Sequence, residues 1–286
     1  MIWQAVDDPA LGRCRRAPSG ARLVEPLDGE GLAQLLGERR GAVRLTVGPP
    51  ADPGGADAVW IDLAPFAGVG PVADGGLAVR AGAAATWGAV EAALAQEGLT
   101  LGPIPAWLRD EPLFETLARG DRRRPSPRYG DVLDGLLAVQ AALPGGGLTR
   151  SAVTPRRATG PDLARGVIGA RHRAGVPLAV HLQAWPKTQG RAFRGVAFPG
   201  WAPALAAGVS ALRAGARPTW WRFAAEGERV VCLAGFEGTA GLSRFDALMG
   251  GQALGAGPAH APGEAVFGPA VEAAAPDLVS LVERQD

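Results

Sequence analysis

Residues 77–98 predict a strand followed directly by a helix, and this pair constrains the fold more than any other stretch. The segment from Leu77 to Ala81 alternates apolar and polar residues, as a half-buried strand does. Thr86 is a residue type that caps helices, and Gly98 is one that ends them. Apolar residues recur on one face between them, namely Trp87, Val90, Ala93 and Leu94. Because a long polar loop follows, the stretch predicts an α+β fold.

A strand–helix–strand unit precedes this pair. Residues 21–26 and 43–47 predict strands, and a helix capped near Asp28 is expected between them. The apolar face of that helix consists of Leu32, Leu35 and Leu36. Segment 48–57 is rich in proline and glycine, so it predicts a loop before a third strand at 58–63.

From Arg194 onward the composition changes. The pattern there predicts a strand, a helix, two strands and a further helix. Four large apolar residues mark one face of the first of these helices: Trp201, Leu205, Val209 and Leu212. A short helix is predicted before the chain ends at Asp286.

Composition narrows the class of protein. The chain has 286 residues, 47% of them hydrophobic, which is enough for one large or two modest domains. A net charge of +1 gives no electrostatic case for nucleic acid or an anionic membrane as partner. The two cysteines form neither a disulfide framework nor a zinc pattern. No apolar run approaches the length of a membrane helix and no signal peptide is recognisable, so we expect a cytoplasmic protein.

Three stretches carry a resemblance to a known family. They are AVRAGAAATWGAVEAALAQEGLTLG, RYGDVLDGLLAVQAALPGG, and TGPDL followed by VIG. In this order they resemble the FAD-binding domain of the vanillyl-alcohol oxidase / p-cresol methylhydroxylase superfamily. The nearest branch is that of alkyl-dihydroxyacetonephosphate synthase and the FAD-linked oxidases, and the likeness covers roughly residues 18–260.

The resemblance implies an α+β fold with two α/β FAD-binding subdomains of the p-cresol methylhydroxylase type. The FAD-binding domain would span 18–190, with subdomains at about 18–72 and 73–190. A truncated α/β cap domain would follow at 191–286. Relatives continue past this point and carry their catalytic residues there, so the resemblance assigns no catalytic residue to this chain.

The resemblance also implies a cofactor site. FAD would lie non-covalently between the subdomains, since no His or Cys stands where some relatives attach the flavin, and it would accept a hydride from a substrate. Backbone N–H groups of small residues would contact its diphosphate. The implied contact residues are Gly48, Gly54, Gly55, Thr116, Leu117, Arg119, Gly169 and Gly175.

Several of these positions depart from the family's pattern. The first loop contains Pro49, Pro50 and Pro53, which have no N–H to donate. Ala118 and Arg119 stand where the family has a glycine pair. In the later Gly-Ser-Glu-Gly motif the glutamate is replaced by Arg171 and the next glycine by His172.

Two main hypotheses therefore remain open. The first is an FAD-dependent oxidoreductase whose cap is completed by a protein partner or by a second copy of the chain. The second is a flavin-free binding or scaffold subunit that keeps the fold without catalysis. An unrelated α/β binding protein is a third alternative.

Other chemistry-bearing residues are expected to have structural roles. Tyr129 is expected to be a buried ring with a bonded hydroxyl, and His181 a structural residue of a strand. His172 could be a catalytic base, but a surface loop residue is the favoured interpretation, and His260 has no evident partner. The scattered histidines predict no metal site. Arg122 to Arg128 could bind an anion or form a solvated loop, and Asp131 with Asp134 is a weak candidate for an acid/base pair.

Overall fold

The computed structural model describes most of the chain, and every statement below concerns the described residues. These are 4–6, 12–38, 42–72, 78–104, 106–120, 126–130, 134–153, 163–188, 190–238, 242–249 and 252–257. The chain divides into two compact units. Unit 1 comprises residues 1–97, 110–121 and 133–185, and unit 2 comprises 98–109, 122–132 and 186–286.

The first sheet of unit 1 combines antiparallel and parallel strands. Its strands are β1 (Gln4–Val6), β2 (Arg13–Arg16), β3 (Arg22–Glu25), β4 (Arg44–Thr46) and β5 (Val59–Asp62), in the order β1-β2-β3-β5-β4. Strands β3 and β4 both pair in parallel with β5. Helix α1 (Gly29–Glu38) connects β3 to β4, and a single 3-10 turn (Ala64–Phe66) follows β5. The predicted strand–helix–strand unit is therefore present.

Helix α1 begins at the predicted cap and buries the predicted face. The Asp28 carboxylate accepts a hydrogen bond from the Gly31 N–H at 2.8 Å, which satisfies a donor that the first turn leaves open. Leu32 and Leu35 are fully buried. They pack in a cluster that includes Ile61 of β5 and Leu178 of the second sheet. This apolar cluster joins the two sheets of unit 1.

The second sheet of unit 1 is antiparallel throughout. Its strands are β6 (Val69–Val72), β7 (Ala78–Gly82), β9 (Leu136–Ala142), β10 (Leu148–Arg150) and β11 (Val176–Gln183), in the order β10-β9-β11-β7-β6. Its helices are α2 (Trp87–Gln96), α4 (Leu113–Arg119) and α5 (Leu163–Val167). The Thr86 hydroxyl accepts from the Ala89 N–H at 3.1 Å, so α2 begins where the sequence predicts. Gly98 follows α2 with φ +70°, as expected of a glycine after a helix.

In its described residues, unit 2 contains a four-stranded antiparallel sheet, three helices and a short additional strand. Its elements are β8 (Leu99–Thr100), α3 (Ala106–Arg109), β13 (Arg191–Phe198), α6 (Trp201–Arg213), β14 (Trp220–Glu226), β15 (Arg229–Glu237), α7 (Leu242–Leu248) and β16 (Gln252–Gly257). A short strand, β12 (Trp185–Pro186), spans the point in the sequence where unit 1 ends and unit 2 resumes. The sheet order is β14-β15-β13-β16. Val230, Cys232 and Phe236 of β15 form a core with Phe245 of α7.

The face of α6 that carries its large apolar residues is exposed, whereas such a face usually packs against the protein core. Trp201, Leu205, Val209 and Leu212 expose between 42% and 50% of their surface. The helix buries its small residues instead, namely Ala204, Gly208 and Ala211. A Cβ at Gly208 would lie 2.9 Å from the Phe223 ring. The aromatic side chains of β14 fill the space under α6, so only a small-residue face can approach the sheet.

The α+β fold class predicted from the sequence is confirmed. The C-terminal helix predicted before Asp286 lies outside the described residues. Among the helices that are described, none combines the length and the apolar character needed to cross a membrane.

Two Val→Ala substitutions test the orientation of α6. Val209→Ala is expected to change the free energy of unfolding by less than about 0.5 kcal/mol, because Val209 is exposed and alanine favours helix. Val230→Ala should cost about 1.5–3 kcal/mol, because its removed methyl groups leave a cavity in a buried strand. Urea denaturation measures both. Equal losses at the two positions would contradict the exposed orientation of the face.

Candidate functional site

Unit 1 contains a cleft of about 590 Å³, which is within the usual range for small-molecule sites. It is lined by residues from α1, β4, α4, the β9–β10 turn and the segment before β11. These are Leu36, Val43, Arg44, Leu45, Glu115, Pro144, Arg171, His172, Arg173 and Val176. The lining therefore draws on both sheets of the unit, and no glycine occurs among its described residues.

Three guanidinium groups stand at the cleft. Arg44 of β4, Arg171 and Arg173 are exposed residues, and none of them forms an ion pair with another described residue. The Arg44 guanidinium lies 5.3 Å from the centre of the Trp60 ring, which restrains its position through a cation–π contact. Glu115 supplies the one carboxylate among the described lining residues, so positive charge predominates there.

Glu115 has a perturbed environment. Burial raises the pKa of its carboxyl, the neighbouring Arg119 lowers it, and Glu111 raises it, with a net shift upward. The nearest oxygen of Glu115 is 4.0 Å from a guanidinium nitrogen of Arg119. This carboxylate therefore offsets only part of the positive charge of the cleft.

The turn from 168 to 175 positions two of the arginines. Its backbone is bonded to the carboxyl end of α4, since the Gly169 N–H donates to Leu117 O at 2.8 Å and the Arg171 N–H donates to Ala118 O at 3.0 Å. Arg171 and His172 both adopt left-handed conformations, with φ of 48° and 64°. Such angles are costly for residues that carry a Cβ, so contacts of the surrounding structure must maintain them.

His172 is more buried than the sequence predicts. Its ring centre lies 5.7 Å from that of Phe114, an α4 residue that is itself buried. The Nδ1 atom is buried and has no hydrogen-bond partner among the described residues. Burial lowers the pKa of the His172 imidazole, which favours its neutral form. His172 lies in a turn, as the favoured loop interpretation expects, and its ring packs on the wall of the cleft.

Two of the three loop glycines expected to contact FAD, Gly48 and Gly54, donate their N–H groups within unit 1. The Gly48 N–H donates to the buried Asp62 carboxylate at 2.8 Å. The Gly54 N–H donates to Asp52 at 3.0 Å, and the Gly55 carbonyl accepts from Ala58 at 3.0 Å. None of these three glycines lines the cleft. A phosphate at this loop would meet two carboxylates where it needs unoccupied donors.

The predicted contacts on α4 also have internal partners. The Thr116 hydroxyl accepts a 3.0 Å hydrogen bond from the Trp87 indole N–H, and both residues are buried. Leu117 is buried as well, and Arg119 forms an ion pair with Glu111. At the start of the helix, the N–H groups of Leu113 and Phe114 donate to backbone carbonyls. These two N–H groups at the start of α4 are therefore already engaged and do not offer hydrogen bonds to a ligand.

Gly120 and Gly175 allow close packing of the backbone, and Gly169 has a left-handed φ of 74° that favours glycine. A Cβ on Gly120, at the end of α4, would lie 2.9 Å from the Gly169 Cα atom. A Cβ on Gly175 would lie 3.0 Å from the Ala142 carbonyl oxygen, and Gly175 has a φ of 152°. These glycines allow the turn to approach α4 and β9, and none of them lines the cleft.

The residues present therefore do not fit FAD in the arrangement that the resemblance implies. The eight implied contact residues do not meet around the cleft, and the N–H groups of Gly48, Gly54 and Gly169 are already engaged. Sequence reasoning missed Arg44, Glu115 and Arg173 as cleft residues. None belongs to a recognisable motif, and only the fold brings them together.

Tyr129 belongs to a hydrogen-bonded network within unit 2, as its structural interpretation predicts. Its hydroxyl donates to the Glu237 carboxylate, which also accepts from Thr188 at 3.0 Å. Arg128 donates to the Glu237 carbonyl at 2.9 Å, and its guanidinium lies 5.2 Å from the centre of the Tyr129 ring. The buried ring packs against Gly102. Tyr129 thus attaches its loop to β15.

The remaining candidate residues form no second site within the described ranges. His181 is a half-buried residue of β11 whose pKa is lowered by burial and by the charges of Arg150 and Arg80. Asp134 lies 3.8 Å from Arg165. Asp131, His260 and Arg122 to Arg124 lie outside the described residues. No group of three or more potential metal ligands occurs in the described part of the chain.

Thr116 provides a test of its internal role. Thr116→Val keeps the shape of the side chain but removes the acceptor for the buried Trp87 indole, so it should lower the free energy of unfolding by about 1–3 kcal/mol. Thr116→Ser retains the hydroxyl and should be less destabilising. Urea denaturation compares them. A serine variant that loses as much stability as the valine variant would contradict the assigned hydrogen bond.

The pKa of His172 predicts how stability varies with pH. Because burial lowers the folded-state pKa below the ordinary 6.5, the unfolded state binds a proton first as the pH falls. The contribution of His172 is therefore complete above pH 6.5 and is lost as the pH falls through its lowered pKa. His172→Asn removes the titration, and asparagine tolerates the left-handed conformation. Denaturation between pH 8 and 5 should show a weaker pH dependence in this variant. An unchanged dependence would refute the assignment.

Comparison with known proteins supports the fold. No protein-family model matches the sequence, and no curated protein matches it significantly. Two solved structures of alkyldihydroxyacetonephosphate synthase match this chain with TM-scores of 0.66 and 0.64, each at 18% sequence identity. Each match covers 83% of this chain, which spans about half of the matched protein, 53% and 52% respectively. The resemblance to this branch of the FAD-linked oxidases is thus confirmed at the level of the fold.

Proposed function

We propose that this chain is a flavin-free binding protein built on the fold of the FAD-linked oxidases. The observation that carries the proposal is the lining of the cleft. Residues 171–173 line it, and none of the residues implied to contact the flavin is among its described lining residues. A cofactor that is held by backbone N–H groups needs small residues and unoccupied donors. This chain has engaged donors and large side chains at those positions.

Two further observations support the loss of the cofactor. The proline-rich loop cannot supply N–H groups from Pro49, Pro50 or Pro53. Arg119, which could have met a phosphate, is paired with Glu111 on the same unit. Each change removes a favourable contact with the diphosphate. The two changes affect two of the three segments implied to contact it, and the side chains of residues 171–173 alter the third.

The FAD-dependent oxidoreductase is the second candidate. The shared fold favours it, since this fold binds FAD in the family that the sequence resembles. If it held, the chain would bind FAD non-covalently and would need a partner or a second copy to complete its cap. Fold alone does not establish activity, so the choice between the two candidate functions depends on which ligand the protein binds.

The visible absorbance spectrum distinguishes the two candidates. The protein is purified without added flavin, then incubated with excess FAD and desalted. We expect no flavin band in either sample, because the N–H donors needed for the diphosphate are engaged. A flavin band that persists after desalting would overturn the proposal and support the oxidoreductase.

Two controls make a colourless result informative. The far-ultraviolet circular dichroism spectrum must show the mixed helix and strand content of the fold, so that an unfolded sample is recognised. Heating the desalted protein and measuring flavin fluorescence in the supernatant reveals any tightly bound cofactor. Released FAD equal in amount to the protein would contradict the proposal.

A further inference from the structure

We propose that the cleft of unit 1 binds a small organic anion, with a carboxylate or phosphate group attached to an apolar body. This inference rests on the proposed function, because it assigns a ligand class to the cleft of a protein that is proposed to bind no FAD. The shared chemistry of the two anionic groups is their recognition by guanidinium. The arguments come from the charge, the apolar wall and the positioning of the lining residues.

Charge gives the cleft its preference. Within the described part of the lining, Arg44, Arg171 and Arg173 contribute three positive charges and Glu115 is the one acidic residue. Since His172 is favoured in its neutral form, the formal charge of the lining near neutral pH is 3 − 1 = +2. Arginine presents a planar set of donors that matches carboxylate and phosphate oxygens, so an anion can bind through two hydrogen bonds to one guanidinium.

The rest of the lining is apolar. Half of the ten lining residues have aliphatic side chains or a proline ring, and they come from α1, the β4 region, the β9–β10 turn and β11: Leu36, Val43, Leu45, Pro144 and Val176. A solvated basic surface would have no such wall. A ligand with only a charged group would leave this surface exposed to water, whereas an attached apolar body would cover it.

The polar groups are positioned before any ligand binds. The Trp60 ring restrains Arg44, and the Trp60 indole N–H is itself bonded to the Pro53 carbonyl at 2.9 Å. The backbone of Arg171 is fixed on α4 through its N–H group. Prior positioning lowers the entropy cost of binding.

Isothermal titration calorimetry with four probes tests the ligand class. The probes are phenyl phosphate, benzoate, inorganic phosphate and benzyl alcohol. Phenyl phosphate or benzoate should bind at least about tenfold more tightly than neutral benzyl alcohol, because charged hydrogen bonds to arginine are lost with the anion. Phenyl phosphate should also bind more tightly than inorganic phosphate. The proposal is overturned if no anionic probe binds, if benzyl alcohol binds equally well, or if the phenyl group gives no gain.

Variants locate the binding. Arg44→Gln and Arg171→Gln should each weaken binding of the anionic probe about tenfold, the loss expected for one charged hydrogen-bonding group. Arg173→Gln provides a third test on the same wall. Arg80→Gln is the matched control, since Arg80 is an exposed arginine of unit 1 that does not line the cleft. Binding that is unchanged in all three cleft variants, or weakened equally in the control, would place the anion elsewhere and overturn the proposal.

FAD is titrated in parallel so that the two proposals can fail separately. Tight FAD binding that depends on Arg44 and Arg171 would overturn the flavin-free function together with the ligand class. If neither FAD nor the anionic probes bind, the flavin-free function stands and the inferred ligand class is overturned. Thermal unfolding of each variant confirms that a lost signal does not come from an unfolded protein.

Discussion

The close approach of Gly120 and Gly169 is the constraint on which the cleft depends. A Cβ on Gly120 would lie 2.9 Å from the Gly169 Cα atom, so only glycine permits this contact. The contact brings the 168–175 turn to the carboxyl end of α4, where two of its N–H groups bond to helix carbonyls. Those bonds fix the left-handed backbone at Arg171 and His172. The direction of the turn then places residues 171–173 on the wall of the cleft.

Internal contacts of unit 1 account for a fold that does not need the cofactor. The elements that form the two sheets of unit 1 depend on apolar burial and backbone pairing, and these are complete without a ligand. A flavin site would need donors that point away from the protein, but the N–H groups of Gly48 and Gly54 donate to Asp62 and Asp52. The Asp62 carboxylate accepts the Gly48 N–H hydrogen bond that a ligand anion would otherwise accept. In the proposed account, the fold is retained while the cleft of unit 1 binds another ligand.

Local features of the fold were predictable from the sequence, and long-range ones were not. The caps at Asp28 and Thr86 act within four residues, so the sequence alone locates the start of α1 and α2. Tertiary packing creates the hydrogen bond from Trp87 to Thr116, and it also brings Arg44 and Arg171 to the lining of one cleft. No local sequence pattern encodes either arrangement. The exposed face of α6 shows the same limit: its 3.6-residue period predicts a shared face. Which face packs depends on the bulky side chains of β14.

Native mass spectrometry of the protein as isolated tests the central claim most directly. The claim is that unit 1 does not bind FAD, because the backbone donors implied to contact the cofactor are engaged and the wall of the cleft consists of side chains. The account predicts a mass equal to the chain alone, or to the chain with a small anion that dissociates on mild activation. A mass equal to the chain plus one FAD, retained under the same conditions, would contradict it.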